Sequence, residues 1–184
     1  EGLVVTTNSE KVRNARRNIL DMLLSNHKTD CFSCPSNGDC KLQELCFEYG
    51  IERTTYSGEQ TELPIDDSNK FFTYNPNLCI LCHRCVNTCH KIVGRGAIDT
   101  MERGFDSAIG TPFHIDWADT NCESCGNCVQ ACPTGALTMK RRKNYRKYQI
   151  DKKVLTTCPH CATGCQYYLL VKDNKIVDVE AANG

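Results

Sequence analysis

The sequence has few apolar side chains for its length and no long apolar run. Of its 184 residues 40% are apolar, but 15 of these are cysteine, and without them the share is about 32%, less than a typical globular domain contains. The longest apolar stretch covers residues 167–171, whereas a membrane helix needs about 20 residues. We therefore expect no membrane-spanning segment, and a fold stabilised by more than side-chain burial.

Net charge is also lacking, since 22 acidic residues balance 22 basic ones. This balance predicts no general attraction to nucleic acid or to anionic lipid. The run Lys140–Tyr148 holds six basic residues and two tyrosines. Such interleaving occurs in nucleic-acid sites, but a solvated linker is the simpler interpretation, and a docking surface for an acidic partner stays open.

The first residues lack the basic start, apolar run and cleavage site of a signal peptide. An odd number of cysteines cannot pair completely. Both observations favour a cytoplasmic, reducing setting in which thiolates bind metal. The chain starts at Glu1 without Met and stops in a polar turn, so we expect it to be part of a longer protein.

The regular elements expected outside the cysteine groups are few. Residues 7–26 predict a helix, with a Thr7-to-Glu10 capping box and an apolar face of Val12, Ala15, Ile19, Leu20, Leu23 and Leu24. A short helix is predicted over 41–49, a loop over 52–69, and a hairpin over 166–181 with its turn at Asp173-Asn174.

The strongest pattern is a pair of matching cysteine runs. Each run has the spacing C-x2-C-x2-C-x3-C, at Cys79, Cys82, Cys85 and Cys89, and again at Cys122, Cys125, Cys128 and Cys132. This is the spacing of bacterial two-cluster ferredoxins, in which the fourth cysteine of each run binds the other cluster. It assigns Cys79, Cys82, Cys85 and Cys132 to one 4Fe-4S cluster, and Cys89, Cys122, Cys125 and Cys128 to a second.

Similar segments after the two runs, Gly96-Ala97-Ile98 and Gly135-Ala136-Leu137, indicate an internal duplication. Zinc sites normally use two close pairs of ligands, which fits these runs poorly. His83 and His90 depart from the ferredoxin pattern, and we interpret them as local tuning or surface residues.

The first group contains His27, Cys31, Cys34 and Cys40. Alone, one His and three Cys are equally consistent with zinc. The stretch LLSNHKTDCFSC followed by CKLQEL, however, resembles the segment that binds a His-ligated 4Fe-4S cluster in three related families. These are the large iron-sulfur subunit of complex I, the iron-only hydrogenases and the catalytic subunit of NAD-linked formate dehydrogenases. The resemblance implies these four residues as ligands. Cys46 is left over, and as an isolated cysteine among apolar residues it is interpreted as a packing group, with a ligand role as the alternative.

The fourth group, Cys158, Cys161 and Cys165, leads into the predicted hairpin. It resembles the opening of molybdenum or tungsten bis-pterin oxidoreductases, in which a later cysteine completes a further 4Fe-4S cluster. Formate dehydrogenases are the relatives that match all four groups in this order. That resemblance implies three complete 4Fe-4S clusters, a fourth with its last ligand beyond the chain end, and a Mo or W bis-pterin and a 2Fe-2S cluster in the full-length protein.

The implied fold is α+β, made of small cluster-stabilised domains. The domains are a His-ligated 4Fe-4S domain at 1–70, a two-cluster ferredoxin-like domain at 71–139, a basic linker at 140–153 and the start of a bis-pterin oxidoreductase domain at 154–184.

The implied function is an electron relay in a formate dehydrogenase or CO2 reductase, between the pterin centre and a flavin/NAD-handling or ferredoxin-linked partner subunit. No residue of the segment itself is a candidate catalytic group. Two alternatives remain: the electron-entry segment of an iron-only hydrogenase, and, from another class, a zinc-stabilised binding module.

Overall fold

The computed structural model describes residues 2–141 and 145–182, and divides the chain into two compact units, Glu1–Arg141 and Arg142–Gly184. Within the described residues, no helix is both long and apolar enough to cross a membrane. Of the predicted basic linker, residues 142–144 lie outside the described part.

Short helices and strands alternate along the chain, in agreement with the predicted α+β class. The helices are α1 (Glu10–Ser25), α2 (Lys41–Glu48), α3 (Arg84–Asn87) and α4 (Asn127–Ala131), with a π-helical turn at Thr88–Val93. The strands are β1 (Phe72–Tyr74), β2 (Asp99–Met101), β3 (Ala108–Gly110), β4 (Leu137–Met139), β5 (Lys152–Thr157), β6 (Gln166–Lys172) and β7 (Lys175–Ala181).

Helix α1 begins three residues later than predicted, because Ser9 rather than Thr7 caps it. The Ser9 hydroxyl accepts a hydrogen bond from the Val12 amide at 3.3 Å, which satisfies one of the amides left free at a helix start. The buried face is also narrower than predicted. Leu20 and Leu24 are buried, whereas Ala15 and Ile19 are exposed.

Helices α1 and α2 form the smaller of two apolar clusters in the first unit. Leu20 and Leu24 pack with Leu42 and Cys46, and Ile80 packs against this cluster. The thiol of Cys46 is therefore a packing group, as predicted. The predicted loop at 52–69, all of it described, contains neither helix nor strand.

The larger cluster contains residues of both two-stranded antiparallel sheets, β1–β4 and β2–β3. Trp117 is 2% exposed and stacks edge-on against Phe72 and Tyr74, with ring centroids 5.2 Å apart in both pairs. Cysteines from both runs contact this larger cluster. Cys85 and Cys128 are members of it, and Cys79, Cys89, Cys122 and Cys132 pack against it.

The second unit is a three-stranded antiparallel sheet in the order β5-β6-β7. Strands β6 and β7 form the predicted hairpin, and Asp173 and Asn174 adopt the left-handed backbone of its turn, with φ of 50° and 56°. Strand β5 pairs with β6 over its whole length. The sequence does not predict this strand, because its first two residues belong to the predicted basic linker.

Candidate iron-sulfur sites

The two cysteine runs have the same backbone course. In each run, the residue before the second cysteine and the residue after it are left-handed: Leu81 and His83 in one, Ser124 and Gly126 in the other, with φ between 52° and 76°. The amides of Leu81 and Ser124 each lie 3.4 Å from the Sγ of the first cysteine of their run. The predicted duplication is thus present in backbone geometry.

The fourth cysteine of each run lies at the end of the short helix that follows. Cys89 is in the π-helical turn, and Cys132 directly follows α4. Single π-helical turns often mark functional positions. Here the turn brings the Sγ of Cys89 to 3.3 Å from the Ala97 amide.

Each predicted ligand quartet lines one cavity. We call the first the Cys122 cavity. It has about 380 Å³ of empty volume, part of it open to solvent, and its lining includes Cys89, Cys122, Cys125 and Cys128 together with Phe72 and Trp117.

The second, which we call the Cys79 cavity, has about 320 Å³, also partly open to solvent. Its lining includes Cys79, Cys82, Cys85 and Cys132 together with Tyr74, His83 and Thr134. The fourth cysteine of each run therefore lines the cavity of the other run, which is the arrangement that the ferredoxin spacing predicts.

Burial keeps the inner thiols protonated. It raises the pKa of Cys79 to about 11 and the pKa values of Cys85 and Cys128 to about 12. Repulsion between thiolates adds to this effect: Cys79 and Cys132 act on Cys85, and Cys122 and Cys125 act on Cys128. Binding of iron must therefore displace protons, and the positive metal would relieve the repulsion.

In the first group, His27 is 7% exposed, and its Nδ1 has no hydrogen-bond partner among the residues that the structure describes. Burial lowers the pKa of its imidazole, so the ring is neutral at pH 7 and able to bind metal.

Cys31, Cys34 and Cys40 lie close together. The Cys34 amide donates to the Cys31 carbonyl, and the other two thiolates of the group contribute to the raised pKa of Cys40, after burial as the main cause. An unpartnered buried nitrogen and three neighbouring thiols fit the implied ligand set. No contact between His27 and the three cysteines is among the described ones.

The first group adjoins the end of the second run. A Cβ atom at Gly135 would lie 2.8 Å from the Sγ of Cys34, so only glycine allows this approach. The Lys41 amide donates to the Pro133 carbonyl, and the Ser36 hydroxyl donates to the Thr134 carbonyl. The segment that follows Cys132 thus lies against the first group.

In the second unit, Cys158, Cys161 and Cys165 lie in the connection between β5 and β6, and the Cys158 amide donates to the Cys165 carbonyl at 2.8 Å. Cys161 and Cys165 are exposed. The Thr163 hydroxyl and amide lower the pKa of the Cys161 thiol.

Within residues 2–141 and 145–182, no three His, Cys, Asp or Glu side chains converge closely enough to hold a single metal ion. A 4Fe-4S cluster makes a different demand, because each of its irons takes its own ligand. Four thiols spread around a cavity of a few hundred Å³, as in the Cys79 and Cys122 cavities, fit that demand.

Several side chains of the cavities were not predicted from the sequence. The Asn127 carboxamide donates to the Sγ of Cys125 at 3.4 Å, and the buried Asn69 donates to the Ser124 hydroxyl at 2.9 Å. Alignment of the two runs would have shown Asn127 opposite Arg84. Nothing in the local sequence indicates the contact of Asn69, since its partner is 55 residues away.

Family models match three parts of the chain. Residues 16–55 match the iron-sulfur binding region of NADH-ubiquinone oxidoreductase-G. Residues 70–138 match the ferredoxin-like domain of NADH-quinone oxidoreductase subunit 3, and residues 121–168 match a 4Fe-4S dicluster domain.

Two relatives and one solved structure extend the similarity. The NADPH-Fe(3+) oxidoreductase subunit alpha of Geobacter sulfurreducens is 40% identical over 90% of this chain, and a Staphylococcus aureus protein named as a candidate formate dehydrogenase is 28% identical over 98% of it. The chain spans only 19% and 22% of these two relatives.

The solved structure is an NAD+-reducing [NiFe]-hydrogenase in the H2-reduced state, with a TM-score of 0.71 and 30% identity over 76% of this chain and 60% of that one. Together with the cavities, these matches show that the chain is made of 4Fe-4S domains similar to those of the large iron-sulfur subunit of complex I and of related hydrogenase and formate dehydrogenase-like subunits.

Proposed function

We propose that the first unit is an electron relay that holds three 4Fe-4S clusters. The observation that carries this proposal is the crossed lining of the Cys79 and Cys122 cavities, each by four cysteines from both runs. When bound, such clusters accept and release single electrons. The third ligand set is His27, Cys31, Cys34 and Cys40.

The residues of this chain determine where the clusters lie and how much water reaches them. Phe72 and Trp117 close one side of the Cys122 cavity, and Tyr74 and Leu137 close one side of the Cys79 cavity. Burial and amide hydrogen bonds to sulfur are the means by which a protein sets cluster potentials. The neutral imidazole of His27 makes its site less negative than four thiolates would.

We further propose that the whole protein is the catalytic subunit of a formate dehydrogenase or CO2 reductase. The support is the resemblance of Cys158, Cys161 and Cys165 to the opening of bis-pterin enzymes, and the Staphylococcus aureus relative. These three thiols need one further ligand from outside the chain to complete a cluster. Under this proposal a Mo or W pterin and a 2Fe-2S cluster lie in other parts of the protein, and the relay serves a flavin/NAD-handling or ferredoxin-linked subunit.

The proposal is tested on the anaerobically purified full-length protein. First, iron and acid-labile sulfide are measured: zinc in place of both would contradict the relay and favour a zinc-stabilised module. Second, the protein is mixed with formate, H2 or NAD(P)H, and bleaching of the iron-sulfur absorption is followed. We expect bleaching by formate. Bleaching by H2 and not by formate would favour a hydrogenase, either the iron-only class of the sequence alternative or the [NiFe] class of the similar solved structure.

A further inference from the structure

The two cavities differ in the side-chain hydrogen-bond donors that they offer to bound sulfur. In the Cys79 cavity the two hydroxyl groups are already committed. Tyr74 donates to the Ile109 carbonyl at 2.5 Å, and Thr134 donates to the Leu78 carbonyl at 2.8 Å. A hydroxyl carries a single proton, so each group divides its proton between a carbonyl and a ligand sulfur: Tyr74 also hydrogen-bonds to Cys79, and the Thr134 hydroxyl oxygen lies 3.7 Å from the Sγ of Cys132.

The Cys122 cavity has two donors that are not spent on carbonyl groups. The Asn127 Nδ2 lies 3.4 Å from the Sγ of Cys125, and its orientation follows from chemistry, since the Oδ1 atom would repel a thiolate. The indole Nε1 of Trp117, which lines this cavity, is buried without an acceptor among the described residues. Cluster sulfides and thiolates are acceptors.

Backbone donors add to the contrast. In the Cys122 cavity three ligand sulfurs receive a described amide hydrogen bond, from Ala97, Ser124 and Val129. In the Cys79 cavity two do, from Leu81 and Val86. Hydrogen bonds to sulfur stabilise the reduced, more negative form of a cluster and so raise its potential.

We propose that the Cys122 cavity holds the more easily reduced of the two ferredoxin-type clusters, and that Asn127, with the Trp117 indole, sets the difference. This inference rests on the proposed function, since it requires both clusters. It names the position at which an electron shared by the pair would reside.

Asn127 has no equivalent in the other run, where Arg84 occupies its position. Arg84 lacks a described contact with sulfur, so the duplication has been made asymmetric at this site. His83, which lines the Cys79 cavity, contacts the Thr100 hydroxyl through Nδ1 at 3.3 Å. All variants are therefore compared with the wild-type protein at one fixed pH.

The test is a redox titration of the full-length protein, followed by electron paramagnetic resonance. The variants are Asn127→Leu, which removes the donor, Asn127→Asp, which keeps the shape but replaces the donor with a negative oxygen, and Trp117→Phe, which keeps an aromatic ring but removes the N–H together with the five-membered ring that carries it. At a fixed applied potential, we expect each to lower the reduced-to-oxidised ratio of one cluster by about threefold to tenfold, where tenfold corresponds to about 59 mV for one electron. Asn127→Asp should give the largest change.

The matched control is Gln130→Leu. Gln130 is exposed on the same helix, and its carboxamide makes no described contact with a cysteine, so all potentials should stay unchanged. Cys89→Ala should remove the signal of higher potential, and Cys132→Ala the signal of lower potential.

Unshifted potentials, equal shifts of both clusters, or the opposite order in the two cysteine variants would overturn the inference while leaving the relay intact. Iron and sulfide content separates these results from a failure of the relay itself. Should Asn127→Leu lose iron, Asn127→Asp and Trp117→Phe still decide.

Discussion

The two cysteine runs share a backbone but not their surroundings. In the first run, the residue after the first cysteine is Ile80, which packs against the apolar cluster of α1 and α2. In the second run the same position is Glu123, which forms an ion pair with Arg95. One loop is supported by apolar packing and the other by polar contacts, so the cysteine spacing and the left-handed positions suffice for the loop shape, while the neighbours are free to differ.

The largest expected effects come from replacing the fourth cysteine of either run with alanine. Cys132→Ala should abolish the cluster of the Cys79 cavity, and Cys89→Ala the cluster of the Cys122 cavity, each with the loss of about four irons per chain. Iron analysis with electron paramagnetic resonance checks this. Cys46→Ala is the control that should retain every cluster. Loss of the Cys122-cavity cluster in Cys132→Ala, or of the Cys79-cavity cluster in Cys89→Ala, would contradict the crossed assignment.

The glycines after the two runs give a second, matched test. Gly135→Ala brings a Cβ atom to 2.8 Å from the Sγ of Cys34, and overpacking of this kind costs about 2–3 kcal/mol. In Gly96→Ala the new Cβ atom meets only the His90 ring, at 3.5 Å. This variant should lose about 1–2 kcal/mol of stability, because alanine is strained in the left-handed backbone conformation of this position. We expect Gly135→Ala alone to labilise the His27 site, measured as the rate of iron loss to a chelator. Equal rates for the two variants would contradict the close approach of Cys34.

The polar support of the second run is tested at Asn69. This side chain is 4% exposed, donates to the Ser124 hydroxyl and accepts from the Phe71 amide. Asn69→Ala leaves the Ser124 hydroxyl and the Phe71 amide without this partner. We expect the free energy of unfolding to fall by about 1–2 kcal/mol, measured as a lower urea midpoint for bleaching of the Cys122-cavity cluster. Preferential bleaching of the other cluster would show that Asn69 does not support the second run.

The smallest effects come from the position that distinguishes the two loops. Ile80→Ala removes part of a half-buried apolar contact. It should lower the free energy of unfolding by about 1 kcal/mol, which is less than the same substitution costs at a fully buried position. Glu123→Leu breaks an exposed ion pair, for which we expect under about 0.5 kcal/mol. Urea midpoints of cluster bleaching measure both. A larger effect for Glu123→Leu would reverse our comparison of the two supports.

The sequence predicts what depends on local spacing and misses what depends on distant contacts. Cysteine spacing predicts that the first three cysteines of each run line one cavity, because residues a few positions apart share one loop. The fourth cysteine of each quartet comes from the other run, and only the ferredoxin pattern indicates it. Ser9 and Thr7 both offered a cap for α1, and only the geometry of the first turn decides between them. Strand β5 was missed because its exposed Lys152 and Lys153 resemble a linker until β6 provides its hydrogen-bond partners. The Tyr74 hydroxyl donates to the carbonyl of Ile109, which is 35 positions away in the sequence. No local pattern indicates this hydrogen bond.

The crossed lining of the two cavities has a consequence for biosynthesis. Each cavity takes cysteines from both runs, so neither is complete when only the first run has left the ribosome. The Cys122 cavity needs residue 128, and the Cys79 cavity needs residue 132. Iron delivered when only the first run is available would find three thiols of the Cys79 cavity and one thiol, Cys89, of the Cys122 cavity. Maturation of both sites must therefore wait for the same short segment of chain.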